Sequence, residues 1–159
     1  MKSIPSVKSL VIGYGNTLRG DDGVGYYVAE AVESWQLPEV ESRPCHQLTP
    51  ELAAELAVAD RVIFVDATPP QNPHSPIVVE RIVPGENAAA FSGHHSSPHA
   101  LLSLTQKLYS KRPVAYTLLL PSWEMGFSET LSPIAKLGLS QGLQRLRELL
   151  GQDLPGPAL

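Results

Sequence analysis

The run Arg61-Val62-Ile63-Phe64-Val65-Asp66 sets four consecutive apolar residues between two charged ones. Unbroken apolar character, mostly β-branched, suits a strand covered on both faces, as the strands of parallel sheets are. Upstream, Thr49-Pro50-Glu51 reads as a helix start, with Thr49 as N-cap and Pro50 at the first helical position, ahead of Leu52, Ala53, Leu56 and Ala57. Residues 40–45 form a weaker strand candidate. Val24, Tyr27, Val28, Ala31, Val32 and Trp35 recur at helical spacing until Pro38 ends the pattern. Residues 8–14 (KSLVIGY) give another buried strand, leading into glycines.

Downstream the alternation continues. Residues 77–83 and 114–120 read as strands, and 85–96 as loop, with room for one helical turn at 86–91. Ser97-Pro98 and Ser132-Pro133 repeat the cap-then-proline start. The first leads a stripe of Leu101, Leu102, Leu104 and Leu108; the second leads Ile134, Leu137, Leu143, Leu146, Leu149 and Leu150. Gly138 and Gly142 weaken that last helix locally. No internal repeat is visible. Strands alternating with helices predict one α/β domain over 1–159, a three-layer α/β/α sandwich with a mostly parallel sheet of about five strands and a frayed tail at 151–159. Right-handed crossovers gather the ends of parallel strands on one edge, where ligands of such sheets bind. The residues just after the strands therefore matter most.

Composition narrows the function classes. The 159 residues carry 12 Lys and Arg against 16 Asp and Glu, a formal net charge of -4, which argues against a nucleic-acid partner. The longest apolar runs are too short to span a bilayer, and the N-terminus lacks a signal-peptide core. Cys45 is the lone cysteine, so an internal disulfide framework and a cysteine zinc cluster are excluded. A cytoplasmic monomer is the expectation.

Three places carry candidate chemistry. The first is the loop Gly13-Tyr14-Gly15-Asn16-Thr17-Leu18-Arg19-Gly20-Asp21-Asp22-Gly23-Val24-Gly25. Its glycines do not fit the dinucleotide spacing G-x-G-x-x-G, and two carboxylates would repel a pyrophosphate at the helix N-terminus. One acid there would complement the helix dipole; that role does not explain two adjacent acids hemmed by glycines. The second is Asp66, at the carboxyl end of the strongest strand, where an Asx-turn role competes with ligand binding. The third is the set His94, His95 and His99, beside the Ser97 helix start, each of which has an ordinary surface role as its alternative. Two carboxylates and an imidazole suit a borderline divalent metal with positions left open.

The long Gly13–Gly25 motif resembles the signature of the hydrogenase maturation proteases, G-x-G-N-x-L-x-x-D-D/E-x-x-G after the first strand. The strand ending in Asp66 resembles the family's second acidic segment. His46-Gln47-Leu48-Thr49-Pro50-Glu51-Leu52 resembles the branch serving bidirectional, NAD-linked hydrogenases. The resemblance implies an endopeptidase that removes the C-terminal extension of a NiFe-hydrogenase large-subunit precursor after nickel insertion, the nickel arriving with the substrate. It places the metal ligands at Asp22, Asp66 and His94, with His99 and then His95 as rivals. His94 is preferred because it precedes Leu101 and Leu102 by the seven and eight residues seen in relatives. Gly13, Gly15, Asn16, Asp21 and His46 fall in loop and substrate-facing roles. No convincing Ser-His-Asp or Cys-His arrangement competes. A non-catalytic nickel-sensing chaperone of the large subunit and a nucleotide-binding module remain the alternative readings.

Overall fold

The structure, a computed structural model, describes residues 7–68, 76–85 and 97–151. Its sheet comprises β1 (Val7–Tyr14), β2 (Val40–Cys45), β3 (Ala59–Ala67), β4 (Val78–Ile82) and β5 (Val114–Leu120) in the order β2-β1-β3-β5-β4. The first three and β5 run parallel, and β4 closes one edge antiparallel to β5. The helices are α1 (Val24–Ser34), α2 (Leu52–Ala57), α3 (Pro98–Tyr109) and α4 (Pro133–Gly151). This is the three-layer α/β arrangement expected from the alternation.

The two faces of β3 explain its unbroken apolar run. Val62 and Phe64 pack with Leu52, Leu56, Leu101 and Leu102 from α2 and α3. Ile63 and Val65 pack with Val24, Val28, Leu146 and Leu149 from α1 and α4. All four strand residues are fully buried, so burial occurs on both sides of one strand.

Helix starts divide by chemistry. Ser97 caps α3 as expected: its Oγ accepts from the Ala100 amide at 3.1 Å, with Pro98 in the first turn. The Ser132 Oγ likewise accepts from Ala135 N at 3.2 Å. Thr49 is a correction, because α2 begins at Leu52. There the Leu52 and Ala53 amides donate to the Thr49 and Pro50 carbonyls, bonds of the tighter i to i+3 kind that need no side-chain cap. The suggested turn at 86–91 and the tail beyond Gly151 lie outside the described residues.

Candidate active site

β1 and β3 are adjacent and in register, Gly13 beside Val65, so the residues that follow them, Tyr14 and Asp66, end together on the carboxyl edge. Both project to the α2–α3 face. Tyr14 packs against the cluster that contains Ile12 and Phe64, and Asp66 follows Phe64 by two positions. The Tyr14 phenol lies near enough to the Asp66 carboxyl that each group shifts the other's titration. The Ala67 amide donates to Asp66 Oδ1 at 2.7 Å. The backbone beyond is tied to β5, since Thr68 N and Oγ1 both donate to the Leu120 carbonyl, at 2.8 and 3.1 Å.

Asp22 reaches the same edge from a short 3-10 turn, Gly20–Gly23, that leads into α1. Its Oδ2 accepts from Asn16 N at 2.9 Å, while Asn16 Oδ1 accepts from Leu18 N at 2.9 Å and turns the chain. Gly15 sits between with φ 151, and a Cβ on it would collide with the Asp22 carbonyl. The loop therefore folds back on Asp22 only because Gly15 has no side chain.

The electrostatics follow the geometry. Burial pushes the Asp66 carboxyl up to about 6; the nearby Asp22 charge adds to this, and the Ala67 amide and Tyr14 hydroxyl oppose it. Burial first, and then Asp66, pushes the Tyr14 phenol upward, so it stays a donor. Burial also lifts Cys45, at the end of β2, to about 11, with Glu55 adding and Arg43 opposing. A thiol held protonated is a poor nucleophile.

Asp21 does something else. It is fully buried, and its carboxylate accepts four hydrogen bonds from a segment a hundred residues away. The donors are Trp123 N (2.7 Å), Glu124 N (2.9 Å), Ser132 N (2.8 Å) and Ser132 Oγ (2.6 Å). Burial alone would raise its pKa; the Ser132, Glu124 and Trp123 donors outweigh that and hold it below the ordinary carboxylate range. The backbone joins in, with Asp21 N donating to Glu124 O at 2.8 Å and Gly20 N to Ser128 O at 2.7 Å. Asp21 thus clamps the approach to α4 against the turn that presents Asp22.

The structure brings Asp22 and Asp66 to one edge. It does not bring His99 there. His99 Nδ1 donates to the Val83 carbonyl at 2.9 Å. Val83 follows Ile82, whose partner Ala115 stands four residues below Leu119, the partner of Asp66; that is roughly 13 Å down the strand. His94 and His95 lie outside the described residues. Among the described residues no group of three or more His, Cys, Asp and Glu side chains is arranged to hold a metal ion. His46 follows β2 on the same edge, where its exposed ring stacks on Tyr26 at 5.2 Å between centroids. The sequence reading passed over Tyr14. Treating the end of β1 by the rule that singled out Asp66 would have found it.

Neither a scan against protein-family models nor a search of the curated proteins gives a match. Solved structures do match. A NiFe-hydrogenase maturation protease, HycI from Thermococcus kodakarensis, superposes with a TM-score of 0.72 at 21% identity, over 92% of this chain and 94% of that one. The hydrogenase maturating endopeptidase HybD from E. coli gives 0.69 at 23% identity, over 90% and 91%. A hydrogenase 2 maturation peptidase from a Thaumarchaeota archaeon gives 0.67 at 21% identity, over 92% and 99%. By its architecture, this chain has the fold of the hydrogenase maturation proteases.

Proposed function

We propose that this protein is an endopeptidase that removes the C-terminal extension of a NiFe-hydrogenase large-subunit precursor once nickel has been inserted. The observation that carries this reading is the convergence of Asp22 and Asp66 on one edge of a fold otherwise seen in hydrogenase maturation proteases. Two carboxylates from separate elements, with an imidazole from His94, make a donor set suited to nickel that arrives with the substrate. The carboxylates would grip the substrate's metal and hold the adjoining peptide against the sheet edge. Bound metal supplies Lewis acidity for the scissile carbonyl or for an attacking water. The protonated Cys45 supports a mechanism without a thiolate nucleophile. Processing would take place in the cytoplasm with a monomeric enzyme; no described helix is long and apolar enough to cross a membrane.

The test is to incubate the protein with nickel-loaded precursor and with nickel-free precursor, and to follow the tail by mass spectrometry. Loss of the tail from the loaded form alone is the expected result. Equal cutting of both forms would remove nickel licensing. Precursor and nickel bound with the tail intact would make the protein a chaperone. Asp22→Asn and His94→Ala should each abolish cleavage, and full activity in either would remove that residue from the site.

A further inference from the structure

We infer that Leu18 and Phe127, exposed apolar residues held next to each other beside the Asp22 turn, form a docking anchor for an apolar surface of the large-subunit precursor. This deepens the function proposed above and rests on it.

The two residues stand on segments far apart in the chain, and backbone hydrogen bonds join those segments. Ser128 N donates to the Leu18 carbonyl at 2.9 Å and Gly20 N to the Ser128 carbonyl at 2.7 Å, a parallel bridge that pairs Arg19 with Ser128. Leu18 and Phe127 are the residues just before that pair, so they are neighbours across it. The Phe127 segment is held again at Asp21, whose carboxylate accepts from the Trp123 and Glu124 amides at 2.7 and 2.9 Å. Phe127 thus sits on pinned backbone. It is nevertheless 91% exposed, the highest value among the large apolar residues described. A ring held out in water buries little surface and adds little to the fold. Fixed backbone beneath it leaves less ordering entropy to lose when a partner covers it.

The anchor adjoins the candidate site. Leu18 N donates to Asn16 Oδ1 and Asn16 N to Asp22 Oδ2, both at 2.9 Å, so two hydrogen bonds link it to the carboxylate. Leu18 and Asp22 are four residues apart, which keeps their Cα atoms within about 14 Å even in an extended chain. A protein substrate that brings a metal to Asp22 spans that distance. Area favours such a substrate over a second copy of this chain. Leu18 is 46% exposed and Trp123 47%. With Phe127 they offer no more than about 400 Å², against roughly 800 Å² per partner in a stable interface. That is too little to hold a dimer, but enough for one part of a contact whose remainder is the carboxylate edge. Arg19, Glu124 and Glu129, all exposed, flank the apolar residues as a polar rim.

Phe127→Ser removes the ring and leaves the backbone bonds, and Phe127→Leu gives apolar surface back. Leu108→Ser, at an exposed position near the end of α3, is the control. Steady-state processing of nickel-loaded precursor measures KM and kcat, and sedimentation velocity over a range of concentrations measures oligomeric state. All three variants should melt close to wild type. In Phe127→Ser, KM should rise by about tenfold with kcat little changed, the mark of lost docking. Phe127→Leu should recover most of that loss, Leu108→Ser should match wild type, and wild type should sediment as a monomer. Wild-type KM in Phe127→Ser would overturn the anchor, as would a fall in kcat with KM intact. A wild-type dimer that Phe127→Ser disperses would also overturn it, by giving the face to a second copy. A wild type that leaves the tail on loaded precursor would bring down the proposed function together with the anchor, whereas an active wild type matched by Phe127→Ser strikes the anchor alone.

Discussion

Adjacent carboxylates at Asp21 and Asp22 meet different surroundings. The first is buried under four donors, and the second, partly exposed, accepts from Asn16 and faces Asp66. One substitution at each separates their duties. Asp21→Ala strands several buried donors and should cost roughly 3 kcal/mol or more, measured by urea denaturation. Asp22→Asn should stay within about 1 kcal/mol of wild type and lose processing. At Asp66 the folded-state pKa of about 6 lies above the ordinary 3.8, so the fold disfavours the charged form. The folded chain then holds a proton that the unfolded chain has released, and stability is lost as pH rises from about 4 through 6. Asp66→Asn should therefore melt higher than wild type at pH 8, by roughly 1–2 kcal/mol once solvent screening is discounted, with the difference gone below pH 4. A melting series from pH 3 to 8 checks it. Under the proposed function the same variant should be inactive, because Asn cannot supply the charged carboxylate that reading requires. Asp66 was legible in the sequence because a strand end announces itself. Asp21's clamp was not, because Trp123, Glu124 and Ser132 are distant in the chain and no local pattern links them to it.

Among the elements, caps separate what local sequence dictates from what tertiary contact adds. Among the described residues Ser97 serves its helix start through the Ala100 amide, so Ser97→Ala should cost about 1 kcal/mol. Ser132 caps α4 and also donates to Asp21 inside the protein. Ser132→Ala should cost about 2–3 kcal/mol, the cap plus a charge-assisted bond. A double-mutant cycle with Asp21→Ala should show coupling, whereas one pairing Ser97→Ala with Asp21→Ala should be additive. Both serine–proline starts were readable because Ser and Pro impose the same geometry wherever they stand. Thr49-Pro50 misled because its first turn closes through backbone bonds, with no side-chain cap on the helix amides. The strand order and the reversal of β4 were not readable, since periodicity reports burial and carries no direction.

Across the whole molecule, the candidate site exists because α1 lies very close to the sheet at the point where β1 and β3 end. A Cβ on Gly25 would collide with the Val65 carbonyl oxygen and lie 2.7 Å from that of Tyr14, the backbone groups that immediately precede Asp66 and end β1. Backbone cannot step aside as a flexible side chain can, so Gly25→Ala must push the helix away or part the strand ends. The expected cost is about 1–3 kcal/mol of overpacking, read from denaturation midpoints. Either movement shifts Tyr14 against Asp66 and carries the Gly20–Gly23 turn, with Asp22, off the edge. Processing should therefore fall far more than the lost stability explains, when assayed well below the melting temperature, where nearly every molecule is folded. A neutral contrast is Gly126→Ala, where a Cβ meets nothing within 4 Å among the described residues. If Gly25→Ala lost stability yet processed precursor at the wild-type rate, the carboxylates would not depend on this close approach for their alignment.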